Sequence, residues 1–120
     1  MTALDQVATW VEVCAFDDLV PGRGACALVG PYQVALFRMV DDAVFGISNY
    51  DPFSEAFVLS RGIVGSRGDV AKVASPIYKQ NFDLRTGICL DDPSVSIMTF
   101  PVRVPRRARL GGTAVSGQAR

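Results

Sequence analysis

The sequence contains no histidine. Histidine is the commonest transition-metal ligand in proteins and the usual general base near neutral pH. Mechanisms that depend on an imidazole are therefore excluded for this chain. Its three cysteines, Cys14, Cys26 and Cys89, are an odd number at wide spacing, which suits neither a disulfide framework nor a paired zinc site. We expect them to be reduced, half-buried apolar side chains.

The chain also lacks an excess of either charge and any long apolar run. Twelve basic residues balance twelve acidic ones, so no net charge draws the molecule to nucleic acid or to an anionic membrane surface. No segment approaches the roughly 18 apolar residues of a membrane-spanning helix, and the first ten residues lack the basic and apolar blocks of a secretion signal. We expect a cytoplasmic protein that binds neither nucleic acid nor membrane.

What the chain does contain is enough apolar residues, 49% of 120, to form one buried core. Short β-type runs alternate with turns rich in Gly, Pro, Asn and Asp, a spacing typical of antiparallel meanders. The best helical candidate is a single turn near Asp17 and Asp18. The sequence predicts an all-β domain with strands in residues 10–16, 24–30, 32–39, 43–49, 70–75 and 95–104.

The composition changes after Val104. Three arginines in four positions are followed by Gly, Ser and Thr with little to bury. Such a composition is typical of solvated, flexible chain ends. We predict that residues 1–105 form the folded domain and that residues 106–120 form a flexible basic tail. Docking of the tail on an acidic partner surface is the alternative.

Two segments resemble the ligand-bearing motifs of Rieske iron–sulfur domains. The stretch SPIYKQNFDLRTG resembles the second motif, C-P-x-H-G followed by F-[DN]-x-x-[TS]-G. Its Pro, Phe, Asp, Thr and Gly positions match, but Ser75 stands at the cysteine position and Tyr78 at the histidine position. Upstream, ISNYDPFSEAFVLSRGIVG resembles the first motif, with Asp51 at the cysteine position and Phe53 at the histidine position.

This resemblance implies a fold and also the loss of a cofactor. It implies a Rieske-like domain of stacked antiparallel β-sheets, in which residues 47–93 form a smaller two-loop subdomain with a degenerate cluster site. A Rieske cluster needs two thiolates on one iron and two imidazoles on the other. All four ligand positions are substituted, so we predict no metal and no cofactor in this chain.

Further motifs are similar to one cluster-free branch of the Rieske-like domains. The sequences DPFS, LSRGIVG and CLDDP, together with the opening strands, resemble the small subunits of the cytoplasmic NAD(P)H-dependent nitrite reductase. The resemblance implies a non-catalytic partner of a large subunit that reduces nitrite to ammonium. In that family the large subunit is expected to hold FAD, a 4Fe-4S cluster and sirohaem.

The substitutions lead to two structural expectations. Phe53 and Tyr78 should pack together, with the phenol oxygen bonded to Asp51 or Ser75, because aromatic surface can replace the inorganic cluster. Basic and amide side chains beside the loops should form a rim, which either faces a partner protein or is an ordinary solvated surface. The predicted rim consists of Arg61, Arg67, Lys79 and Gln80.

Two alternative functions stay open at this point. One is an electron-transfer ferredoxin that uses Cys14, Cys26 or Cys89 as atypical cluster ligands, although their spacing gives it no support. The other is a free-standing binding module built on the Rieske-like scaffold, because a fold by itself does not define a function.

Overall fold

The computed structural model describes residues 10–104 and 112–117. Within them the chain forms twelve β-strands and two single turns of 3₁₀-helix, Phe16–Asp18 and Leu59–Arg61, so the all-β prediction is confirmed. The strands are β1 (Trp10–Cys14), β2 (Gly24–Val29), β3 (Tyr32–Arg38), β4 (Val44–Ser48), β5 (Tyr50–Asp51), β6 (Ala56–Phe57), β7 (Ile63–Arg67), β8 (Val70–Ala74), β9 (Asn81–Asp83), β10 (Thr99–Phe100), β11 (Val102–Arg103) and β12 (Thr113–Ser116).

The strands form four antiparallel sheets. The largest has the order β10-β4-β3-β2, and a three-stranded sheet has the order β1-β12-β11. These two sheets form the base of the domain. The smaller subdomain contains a second three-stranded sheet, β7-β8-β9, and the hairpin β5-β6. Both of its sheets lie within the predicted boundaries of residues 47–93.

Strand β3 lies between two hydrophobic cores. Ala35 and Phe37 belong to a core shared with β8, β9 and the turn at Leu59. Val34 and Leu36 belong to a second core shared with the β1-β12-β11 sheet. Because successive side chains of a strand point to opposite faces, a strand covered on both sides reads as a continuous apolar run. The sequence VALF in β3 shows this pattern.

Tight turns join the strands of the base. Gly30 and Pro31 connect β2 to β3, and Gly30 has a φ of 57°, which glycine adopts without steric cost at the first central position of a two-residue hairpin turn. At the predicted helical turn, the amide of Ala15 donates to Asp18 Oδ2 at 3.2 Å. Asp42 lies in the turn between β3 and β4 with a φ of 69°, as expected for a turn-forming aspartate.

The predicted end of the domain at residue 105 is wrong. Residues 113–116 form β12, which is the central strand of its sheet, between β1 and β11. Thr113, Val115 and Ser116 are buried. Four residues with little side-chain volume can still form a central strand, because their backbone groups pair on both sides. Within the predicted tail, residues 106–111 and 118–120 lie outside the described residues.

The three cysteines are free thiols in different environments. Cys89 is buried in the core below the smaller subdomain, Cys14 is half-buried and Cys26 is exposed, so the expectation of three half-buried side chains holds only for Cys14. Desolvation raises the pKa of Cys26, and desolvation followed by the charge of Asp18 raises that of Cys14. Both thiols are therefore protonated at neutral pH.

No helix in the described part of the chain has the length and apolar character needed to cross a membrane.

Candidate functional site

Two short loops of the smaller subdomain have the same backbone construction. Loop 1, residues 51–55, joins β5 to β6, and loop 2, residues 75–79, lies between β8 and β9. In loop 1 the amide of Glu55 donates to the carbonyl of Asp51 at 2.7 Å. In loop 2 the amide of Lys79 donates to the carbonyl of Ser75 at 3.1 Å. The two donor residues have positive φ angles of 57° and 68°.

Asp51 is the buried centre of loop 1. Its side chain is fully buried and accepts three hydrogen bonds. The amide of Phe53 donates to Oδ1 at 2.9 Å, the hydroxyl of Ser54 donates to Oδ2 at 2.9 Å, and the hydroxyl of Ser75 donates to Oδ2 at 2.5 Å. Burying a carboxyl group without hydrogen-bond partners costs free energy, and the three donors to Asp51 offset that cost.

The hydrogen bond between Asp51 and Ser75 joins the two loops directly. Ser75 is also fully buried, and its hydroxyl accepts a hydrogen bond from the amide of Ile77 at 3.3 Å. Its own amide donates to the carbonyl of Gln80 at 2.9 Å, which closes the base of loop 2. The two residues at the predicted cysteine positions therefore lie together and hold the loops in contact.

The residues at the predicted histidine positions do not pair. Phe53 packs on Phe82, with 6.1 Å between ring centroids, and joins the core of the smaller subdomain. Tyr78 is 60% exposed, and its ring and hydroxyl have no aromatic or hydrogen-bond partner among the described residues. The predicted contact between Phe53 and Tyr78 is therefore wrong, because loop 1 lies against the core while the apex of loop 2 points outward.

Three of the four predicted rim residues lie near loop 2. Lys79 belongs to the loop, and its Nζ donates to the carbonyl of Pro76 at 3.2 Å. Gln80 follows the loop and is half-buried, with an Oε1 that has no partner among the described residues. Arg61 is exposed and precedes Gly62, which lies so close to the carbonyl of Ala74 that a Cβ would clash. Nothing here identifies a partner, so the partner-facing rim stays a prediction.

The backbone of Arg67 lies away from loop 2, and only its side chain extends back toward the strand that follows the loop. Arg67 lies at the turn between β7 and β8, opposite Val70, at the end of that hairpin farthest from Ser75. Its guanidinium group forms an ion pair with Asp91 at 3.6 Å. The hairpin register placed it there, and the sequence spacing alone did not reveal this.

Asp91 anchors the strand that follows loop 2. The amide of Asn81 donates to Asp91 Oδ2 at 2.7 Å, and the side-chain amide of Asn81 donates to the same oxygen at 3.0 Å. These two hydrogen bonds, with a smaller contribution from the charge of Arg67, hold the pKa of Asp91 below its ordinary value. The other polar atom of the same Asn81 side chain, Oδ1, accepts a hydrogen bond from Lys72 Nζ at 2.6 Å.

Two residues that support the site were missed by the sequence analysis. Ser54 supplies a third donor to Asp51, and its position three residues after an aspartate in a turn is the signal that was available. Asn49 is buried where the base meets the smaller subdomain. Its Nδ2 donates to Gln33 Oε1 at 3.1 Å, and its Oδ1 accepts from the amide of Ser60 at 2.7 Å. No local pattern distinguished Asn49 from a turn residue.

A Rieske cluster does not fit this set of residues. The four ligand positions hold a carboxyl group, a phenyl ring, a hydroxyl group and a phenol, whereas the cluster needs two thiolates and two imidazoles. Asp51 and Ser75 already satisfy each other. Among the residues that the structure describes, no three His, Cys, Asp or Glu side chains are grouped as metal ligands. The arrangement can hold two loops together, but it offers no redox group.

Comparison with known proteins places this geometry in a class. The model of the Rieske-like [2Fe-2S] domain family matches residues 9–108. The fold and the paired loops thus define a Rieske-like domain.

Within that class, the similarity to one kind of protein extends over most of the chain. The nitrite reductase (NADH) small subunit of Salmonella typhimurium strain LT2 is 46% identical over 99 residues, which cover 82% of this chain and 92% of that protein. A solved structure of an NADH-dependent nitrite reductase small subunit from Mycobacterium tuberculosis is 50% identical, has a TM-score of 0.86, and is matched over 92% of this chain and 96% of that chain. The chain belongs to the family of nitrite reductase small subunits.

A third relative has a different organisation. The nitrite reductase [NAD(P)H] large subunit of Klebsiella oxytoca is 40% identical over 95 residues, which cover 79% of this chain but 10% of that protein. A domain of this family is therefore part of a much longer polypeptide in that relative.

Proposed function

We propose that this chain is the non-catalytic small subunit of a cytoplasmic NAD(P)H-dependent nitrite reductase, which reduces nitrite to ammonium. The chain binds the large subunit and supports it. The observation that carries this proposal is the similarity, over most of both chains, to nitrite reductase small subunits. The relative from Klebsiella oxytoca supports the physical association, because there the same domain is covalently linked to the rest of a large subunit.

The chemistry of the two loops supports a role without electron transfer in this chain. The hydrogen bond from Ser75 to Asp51 uses the groups at both predicted cysteine positions. Electron relay through these loops would need a redox group for which the residues provide no ligands. We therefore assign the cofactors to the large subunit, where the family resemblance implies FAD, a 4Fe-4S cluster and sirohaem.

Co-expression with the cognate large subunit tests this function. We expect the two chains to copurify and the small subunit to change the assembly or the NAD(P)H-linked nitrite turnover of the complex. If the chain neither copurifies with the large subunit nor alters its turnover or assembly, the accessory role is wrong.

The ferredoxin alternative is tested separately on the isolated chain. We expect protein produced in iron-replete cells to show no visible absorption bands and no stoichiometric iron. Visible bands with bound iron would instead support electron transfer through atypical ligands.

A further inference from the structure

We draw no further inference here: the strongest candidate, the open apolar groove beside loop 1 that Tyr32, Tyr50, Phe57 and Met98 line, carries no proposal because nothing in the structure shows what covers it.

Discussion

Loop 1 and loop 2 share one backbone design but differ in how their side chains are placed. Each begins with a buried polar residue followed by proline, and each is closed by a hydrogen bond from the fifth amide to the first carbonyl. In loop 1 the third residue, Phe53, turns inward and packs on Phe82. In loop 2 the third residue, Ile77, is 46% exposed.

The difference shows which properties of a loop are local. Closure depends on neighbouring residues, because a proline restricts the chain and a residue with positive φ reverses it within five positions. Burial depends on what lies beneath the loop. Loop 1 lies over a core that contains Phe82, whereas the apex of loop 2 projects past the edge of its sheet. The same backbone therefore packs its third side chain into the core in loop 1 and exposes it to solvent in loop 2.

The largest effect is expected when the link between the loops is removed at Asp51. Asp51→Ala leaves the donors of Phe53, Ser54 and Ser75 without their acceptor in a buried site. We expect a loss of about 3 kcal/mol or more in the free energy of unfolding, measured by urea denaturation.

The loop 2 half of the same link provides the matched variant. Ser75→Ala removes one donor and leaves two on Asp51, so the expected loss is about 1–2 kcal/mol. Equal losses for the two variants would contradict the central position of Asp51.

A smaller effect is expected from the aromatic residues that were predicted to pair. Phe53→Ala removes a partly buried ring from the core, and we expect a loss of about 2 kcal/mol in unfolding free energy. Tyr78→Ala removes an exposed ring and should change stability by less than about 0.5 kcal/mol. Comparable losses for both variants, measured in the same urea titrations, would show that the two loops are equally buried.

The positive φ angles provide a test of the shared backbone design. A left-handed conformation costs a non-glycine residue about 1–2 kcal/mol, and glycine loses about 0.5–1 kcal/mol of that advantage through the entropy of the unfolded chain. We expect Glu55→Gly and Lys79→Gly each to stabilise the fold by about 0.5 kcal/mol. Lys79→Ala, which keeps the side-chain restriction, should give no gain. If Lys79→Gly lowers the free energy of unfolding as much as Lys79→Ala does, the backbone at Lys79 is not strained.

The smallest effect concerns pH and the anchor of loop 2. Because the pKa of Asp91 is lowered in the folded state, its contribution to stability is present above the unfolded value of about 4 and is lost as the pH falls through the lower folded value. Asp91→Asn should therefore lower the stability slightly near pH 7 and flatten its dependence on pH below about pH 4, so that the two proteins differ least at the lowest pH. Unfolding titrations of both proteins between these pH values measure the difference, and parallel pH profiles would contradict it.

Much of the base was predictable because its signals are local. The runs that form β1, β2, β3 and β4 alternate with turns whose residues require special backbone angles, and the structure contains strands at those places. The short strands of the smaller subdomain, such as β5 and β6, were missed. Two residues contain too little periodicity to indicate a strand, and their pairing depends on the loop between them.

The candidate site was predictable in part. The family resemblance identified Asp51 and Ser75 as the two cysteine positions, and the structure joins these two residues by a hydrogen bond. The expected contact between Phe53 and Tyr78 is absent, because Phe53 packs on Phe82 and Tyr78 is exposed. Spacing along a loop does not specify the direction of a side chain, and the register of β7 with β8 determined where Arg67 lies.

The sequence by itself determined the all-β class, the turns of the base, and the absence of histidine ligands, because each follows from residue identity or from neighbours in the chain. Only the tertiary structure decided that residues 113–116 complete a central strand, that the Asp51 side chain is buried and bonded to Ser75, and that Asn49 joins the base to the smaller subdomain. These features join segments far apart in sequence, and their stability comes from contacts that no single segment makes alone.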